Sequence, residues 1–155
     1  MIKNILSPAQ CAKCLGCCIF VDDDLIERPM LTDTDIKAAE EIRSCKYVPS
    51  GDLRCFDMDK DSEGIYTCPM LADNGCMMGS KKPFMCAIWP ISLVKYNGRN
   101  AIAVSELCPS IFKMTNEYIT ETLGESFLDK CREAAALYPT LVQPKRDTYR
   151  FVAYL

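Results

Sequence analysis

The spacing of the cysteines constrains the fold of this chain more than any other feature. Eight of its eleven cysteines form a short run, a second group and one position beyond them: Cys11, Cys14, Cys17, Cys18, Cys68, Cys76, Cys86 and Cys108. Thiolates are the soft ligands that hold zinc, copper(I) and iron-sulfur clusters, and C-x2-C spacing lets two sulfurs converge on one centre. Because the chain has no histidine, any all-protein metal site must be rich in sulfur.

The length of the chain predicts one domain, 1–155. A chain of this size buries roughly two thirds of its unfolded surface without covalent staples. The cysteines are therefore not needed merely to hold a small fold together. We expect a metal-binding region over 11–108, followed by helices and a strand over 109–155.

The N-terminal residues predict a soluble, cytoplasmic protein with reduced thiols. The first ten residues, MIKNILSPAQ, contain one lysine and an apolar patch shorter than the core of a signal peptide. No later apolar run reaches membrane-spanning length. Because cytoplasmic thiols stay reduced, dense cysteines there favour metal binding over disulfides. Eleven is also an odd number of cysteines, which leaves one thiol unpaired in any disulfide scheme.

The charge of the chain argues against nucleic acid as a partner. The formal net charge is -3 and the pI is about 5.0, whereas nucleic-acid binding depends on clustered lysine and arginine. The basic pairs Lys81-Lys82 and Lys145-Arg146 are interpreted as solvated surface. The expected partners are metal ions together with a redox or protein partner, and neither nucleic acid nor a membrane.

Apolar periodicity and turn residues predict an α+β fold with short hairpins and a few helices. The predicted helices are 33–44, capped by Thr32 or Asp33, and 115–123 and 125–137, separated by Gly124. The predicted strands outside the main hairpin are 53–58 and 65–68, around a polar turn, and the C-terminal segment TYRFVAYL. Asn97-Gly98 lies between ISLVKY and AIAVSE, and this dipeptide predicts a hairpin.

The first cysteine run favours an iron-sulfur cluster over zinc. Cys11, Cys14 and Cys17 are separated by two residues each, as are the first three ligands of a bacterial ferredoxin run. Adjacent Cys17 and Cys18 are expected to diverge, because successive side chains usually point apart. We therefore expect two nearby centres, or one cluster plus one free thiol.

The residues after the first run extend the pattern in a recognisable order: Cys68-Pro-Met-Leu71, Gly75-Cys76 and Lys82-Pro83-x2-Cys86-x2-Trp89-Pro90. Over 11–90 the chain resembles the CxxCxxCC family of zinc- or iron-chelating domains. That family includes larger enzymes that methylate lysines of flagellin with an iron-sulfur cluster. The resemblance implies that all eight cysteines of the pattern are metal-associated, as two four-sulfur centres or as one cluster plus a zinc ion. Lys82 departs from the family pattern, which usually has arginine there.

The remaining cysteines are interpreted as structural. Cys131 lies on the apolar stripe of a predicted helix, Cys55 in a predicted strand and Cys45 near a helix end. A buried free cysteine behaves as a small hydrophobic residue. We expect none of the three to bind metal.

No catalytic residue is identified. Without histidine a Cys-His nucleophile is excluded, and no serine elbow, phosphate loop or paired carboxylates are present. The first hypothesis is a metal-binding protein with one or two 4Fe-4S clusters, for electron transfer or as an accessory to a modifying enzyme. The alternatives are a zinc-binding structural or interaction module or metal carrier, and an enzyme acting at an open iron. Whether the chain is an enzyme stays open.

Overall fold

The protein has an α+β fold, as the sequence predicts. A computed structural model describes residues 2, 5–6, 10 and 15–155. The chain divides into two compact units, Ala9–Ala87 and Ile88–Leu155 together with Met1–Pro8. We call the first the cysteine unit and the second the sheet unit. The single-domain organisation stays a prediction.

The cysteine unit is built from short elements joined by turns. Its strands are β1 (Ile19–Phe20), β2 (Met30–Leu31), β3 (Tyr47–Ser50), β4 (Leu53–Phe56), β5 (Tyr66–Thr67), β6 (Leu71–Ala72) and β7 (Gly75–Cys76). Its helices are α1 (Asp33–Glu40), two 3-10 turns, Asp22–Glu27 and Gly79–Lys81, and the start of α2 (Phe84–Ile88). The strands pair antiparallel in three small sheets, β2-β4-β3, β1-β5 and β6-β7.

Helix α1 begins where the sequence predicts and ends earlier. The Thr32 hydroxyl accepts the amide of Asp35, whose carboxylate accepts the Thr32 amide at 2.8 Å, which is a reciprocal capping box. The helix ends at Glu40 instead of residue 44. Ala39 is its last buried residue and Ile42 is 40% exposed, so there is no apolar face beyond Ala39 to hold a further turn against the core.

The predicted strands 53–58 and 65–68 exist in shortened form as β4 and β5, but they do not pair with each other. Strand β4 lies between β2 and β3, whereas β5 pairs with β1. The polar turn between them is organised by Asp61, whose Oδ1 accepts the amides of Glu63 and Ile65, both at 2.9 Å. The predicted polar turn is therefore present and is closed by an antiparallel bridge between Lys60 and Tyr66. Its flanking strands nevertheless join different sheets, β5 with the distant β1 and β4 with β2 and β3.

The sheet unit contains longer elements. They are β8 (Ile91–Tyr96), β9 (Arg99–Ser105), α3 (Asn116–Leu123), α4 (Glu125–Leu137), a 3-10 turn (Pro139–Leu141), β10 (Gln143–Pro144) and β11 (Tyr149–Tyr154). The strand order is β10-β8-β9-β11. The predicted hairpin is confirmed, with Asn97 at φ 48° and Gly98 at φ 77°, the left-handed conformations that a type I′ turn requires. The predicted C-terminal strand and the helices on either side of Gly124 are confirmed as well.

The central strand of this sheet is buried on both faces. All residues from Ala101 to Ser105 are fully buried. The small side chains of Ala101 and Ala103 leave room for aromatic rings, and Tyr96 and Phe151 pack there with centroids 4.9 Å apart. Among the helices of the described residues, none has the length and apolar composition needed to cross a bilayer.

Candidate metal centre

One pocket of the cysteine unit is lined by five of the predicted cysteines. These are Cys17, Cys18, Cys68, Cys76 and Cys86, and the other lining residues are Phe56, Met70, Met78, Lys82 and Pro83. The cavity between them measures about 10 Å³, which is close to the space of one water-sized sphere. The pocket is thus the size of a single ion, and its donors are sulfur atoms.

Backbone pairing brings the first two groups of cysteines together. The chain turns at Leu15, which has a φ of 54°, and the Cys18 amide donates to the Leu15 carbonyl at 2.8 Å. Strands β1 and β5 then pair antiparallel, and the Cys68 amide donates to the Cys18 carbonyl at 2.8 Å. Cys18 and Cys68 are therefore neighbours although they are far apart in the sequence.

Two further elements contribute the other cysteines. Cys76 ends β7, opposite Leu71 of β6, and the Met77 amide donates to the Met70 carbonyl at 2.9 Å. Cys86 lies on α2, where the Ala87 amide donates to the Pro83 carbonyl at 2.9 Å. Each cysteine is thus held by a short, locally hydrogen-bonded segment.

The adjacent cysteines do not diverge as the sequence led us to expect. The Sγ atoms of Cys17 and Cys18 lie 3.7 Å apart. Two thiolates bound at about 2.3 Å to one tetrahedral ion are separated by roughly 3.8 Å. The turn at 15–18 therefore directs both sulfurs toward one point, and the pair has a spacing that suits one ion.

The pocket raises the pKa values of its thiols. The hydrogen bond with Cys18 and burial raise the pKa of Cys17 well above its ordinary value. For Cys18 the hydrogen bond with Cys17 lowers the pKa, but the hydrogen bond with Cys68 and burial outweigh it and raise the pKa to about 12. Burial, and then the charge of Cys17, raise the pKa of Cys86 well above its usual range. A metal ion must displace protons to bind here.

Among the described residues that line the pocket, Lys82 is the one with a cationic side chain. It is half-buried, and its charge acts against the dominant effects by lowering the pKa values of Cys17 and Cys86. The interpretation of Lys82 as solvated surface is therefore wrong. Its position beside Pro83 within the last cysteine motif was the available signal.

The donor set fits a thiophilic metal. Five thiols and two buried methionines, Met70 and Met78, surround the pocket, and none of the lining residues that the structure describes is a carboxylate. In the described part of the chain, no group of three or more Cys, Asp or Glu side chains is arranged so that it could hold a metal ion. The described thiols are therefore gathered in one place without being preset around an ion.

The other three predicted ligands are not among the described pocket residues. Cys11 and Cys14 lie outside the described residues. Cys108 is buried in the sheet unit, just after β9, and its amide donates to the Ser105 carbonyl at 3.3 Å. Their roles as ligands stay predictions.

The cysteines expected to be structural are not among the pocket residues. Cys55 is buried in β4 and Cys131 in α4, as predicted, and burial raises the pKa of Cys131 to about 12. Cys45 is half-buried, and its thiol donates to the Arg43 carbonyl at 3.6 Å. Sequence reasoning missed Phe56 and Met70 as pocket residues, for which apolar character was the only signal.

Comparison of the chain with protein families, curated protein sequences and solved structures finds no match.

Proposed function

We propose that this protein binds metal through its cysteines and that the described pocket holds one ion, zinc above all, through four thiolates. The 3.7 Å separation of the Cys17 and Cys18 sulfurs carries this proposal, because it matches two ligands of one tetrahedral ion. The other two ligands come from among Cys68, Cys76 and Cys86, which line the same pocket. Bound zinc supplies a closed, redox-silent cross-link between chain segments.

The size of the pocket supports a single ion over a large cluster. A 4Fe-4S cluster binds its four cysteines through different irons, so its thiolates lie further apart than two sulfurs on one ion. A cavity of about 10 Å³ suits a single ion better than a group of four irons and four sulfides. A zinc-stabilised structural or interaction module, or a metal carrier, is the function that follows.

The second candidate is an iron-sulfur protein that transfers electrons or assists a modifying enzyme. The spacing of Cys11, Cys14 and Cys17 favours it, and with Cys108 these residues complete the eight sulfurs of two centres. An enzyme acting at an open iron is a variant of this candidate. Both candidates fit a cytoplasmic location, which the free thiols of the nine described cysteines support.

Anaerobic purification followed by metal analysis and a visible spectrum tests the proposal. We expect a colourless protein with at least one zinc ion per chain and without sulfide. A brown protein containing iron and sulfide would favour the second candidate. A protein that binds neither metal in stoichiometric amount, even after reconstitution under reducing conditions, would overturn both.

A further inference from the structure

The two adjacent lysines Lys81 and Lys82 have different surroundings. The Lys81 ammonium donates to the Glu41 carboxylate at 2.6 Å, and both side chains are largely exposed. Lys82 is half-buried and lines the thiol pocket. Among the described residues, no carboxylate pairs with Lys82. Its charge therefore faces the cysteines without a competing anion.

The backbone fixes this difference between neighbours. Lys81 ends the 3-10 turn Gly79–Lys81, and Lys82 follows in an extended conformation, with φ -55° and ψ 138°. A residue before proline is restricted to such a conformation, and the next residue, Pro83, is fully buried against the pocket. The change of backbone direction at Lys82 separates the two side chains.

The charge of an occupied thiolate site explains why a lysine there matters. Four thiolates around a divalent ion carry a net charge of about -2. A buried negative charge is unfavourable unless a cation or hydrogen-bond donors compensate it. Methionines, a phenylalanine and a proline complete the pocket lining, and their side chains supply no positive charge and no hydrogen-bond donor.

We propose that Lys82 is the charge-compensating residue of the thiolate pocket, and that its ammonium group raises the affinity of the pocket for a divalent metal ion. This role rests on the proposed function, because it requires a negatively charged metal-thiolate centre. Lys82 acts through the thiolates and is not itself a ligand. It lowers the pKa values of Cys17 and Cys86, which is the same electrostatic effect on the metal-free thiols.

Zinc affinity of matched lysine variants tests this role. The variants are K82M, which keeps the apolar stem and removes the charge, K82R, which keeps the charge, and K81M as the matched control. Each protein competes for zinc with a chromophoric chelator under anaerobic conditions at one neutral pH.

We expect K82M to bind zinc roughly tenfold more weakly, since a unit charge near a half-buried site contributes on this scale. K82R and K81M should remain within about threefold of the original chain, because both keep the charge at position 82.

Salt dependence separates charge from packing. The affinity difference between the original chain and K82M should shrink at high ionic strength, because salt screens the partly exposed ammonium. A difference that persists unchanged in high salt, or an equal loss in K82R, would overturn the role of the charge. If K82M fails to fold, K82Q replaces it, and K82R still gives the charge-retaining reference.

The outcomes distinguish this inference from the proposed function. If the original chain binds no zinc, the proposed single-ion site is wrong, and so is the proposed role of Lys82. If the original chain binds zinc and K82M binds it as tightly as K81M, the proposed function stands and only the role of Lys82 is wrong.

Discussion

The two units differ in the length of their strands and in what stabilises them. The sheet unit has strands of six and seven residues joined by a tight hairpin, whereas the described strands of the cysteine unit have at most four residues. Long antiparallel ladders satisfy many backbone groups and bury continuous apolar rows. Two-residue strands do neither, so the cysteine unit depends more heavily on its side chains.

The core of the cysteine unit overlaps with its thiol pocket. Cys18 and Cys68 belong to the same buried cluster as Phe56 and Met70, and all four line the pocket. In such an arrangement the free energy of metal binding is also free energy of folding. If metal binds as proposed, it would be a structural component of the cysteine unit, whereas the sheet unit is stabilised by ordinary packing.

The largest expected effect is that of metal removal. Stripping the metal with a chelator should unfold much of the cysteine unit, because structural zinc sites contribute about 10–16 kcal/mol of apparent binding free energy. Hydrogen exchange followed by mass spectrometry should show lost protection in β4 and α1 and retained protection in β8 and β9. Trp89, the only tryptophan of the chain, is partly buried against the sheet-unit core and should keep its fluorescence. Equal loss of protection in both units would contradict the comparison.

The second prediction concerns a matched pair of buried cysteines. Cys86→Ala removes one of the five pocket thiols and should lower zinc content together with protection of the cysteine unit. Cys131→Ala removes a sulfur from the core of α4 and should cost about 1 kcal/mol of stability with zinc content unchanged. Metal analysis and urea unfolding check both variants. Full zinc content in the Cys86 variant would exclude Cys86 as a ligand.

Two helix caps give the third prediction, with smaller effects. The hydroxyls of Thr32 and Thr115 accept backbone amides at the starts of α1 and α3, and replacing either by alanine should cost about 1 kcal/mol. In the metal-loaded protein, Thr115→Ala should shift the urea transition reported by Trp89, whereas Thr32→Ala should leave that transition in place. Thr32→Ala should instead increase hydrogen exchange in α1. A common shift of the Trp89 transition would indicate that the units unfold together.

The same contrast explains what the sequence could predict. In the sheet unit, Asn97-Gly98 and Gly124 act through local backbone conformation, so the hairpin and the two helices follow from neighbouring residues. In the cysteine unit, β4 and β5 lie on either side of the predicted polar turn, but β5 pairs with the distant β1, and β4 pairs with the distant β2 as well as with its neighbour β3. Short strands carry too little side-chain pattern to specify such non-local register.

The pocket was predictable in its chemistry and less so in its geometry. Motif spacing identified Cys17, Cys18, Cys68, Cys76 and Cys86 as a group, because ligand type depends on residue identity. The approach of the Cys17 and Cys18 sulfurs depends on the positive φ of Leu15 and the turn that follows, which no spacing rule contains. The placement of Lys82 depends on a similar backbone detail beside a buried proline.

The smallest expected effect is an acid dependence carried by the sheet unit alone. Glu117 lies in the first turn of α3, where its own backbone amide and the Thr115 hydroxyl hold the pKa of its carboxyl below the usual value. A group whose pKa is lowered by folding stabilises the folded state above its unfolded pKa, about 4.3, and this contribution is lost as the pH falls through the folded pKa. Urea unfolding followed by Trp89 fluorescence should therefore show a weaker decline in stability below about pH 4.3 in Glu117→Gln than in the original chain.

Zinc should leave the cysteine unit at a higher pH than that of the Glu117 effect. Protons compete there for thiols whose pKa values are raised. A Trp89 transition that follows zinc release with pH would show that the sheet unit depends on the metal as well.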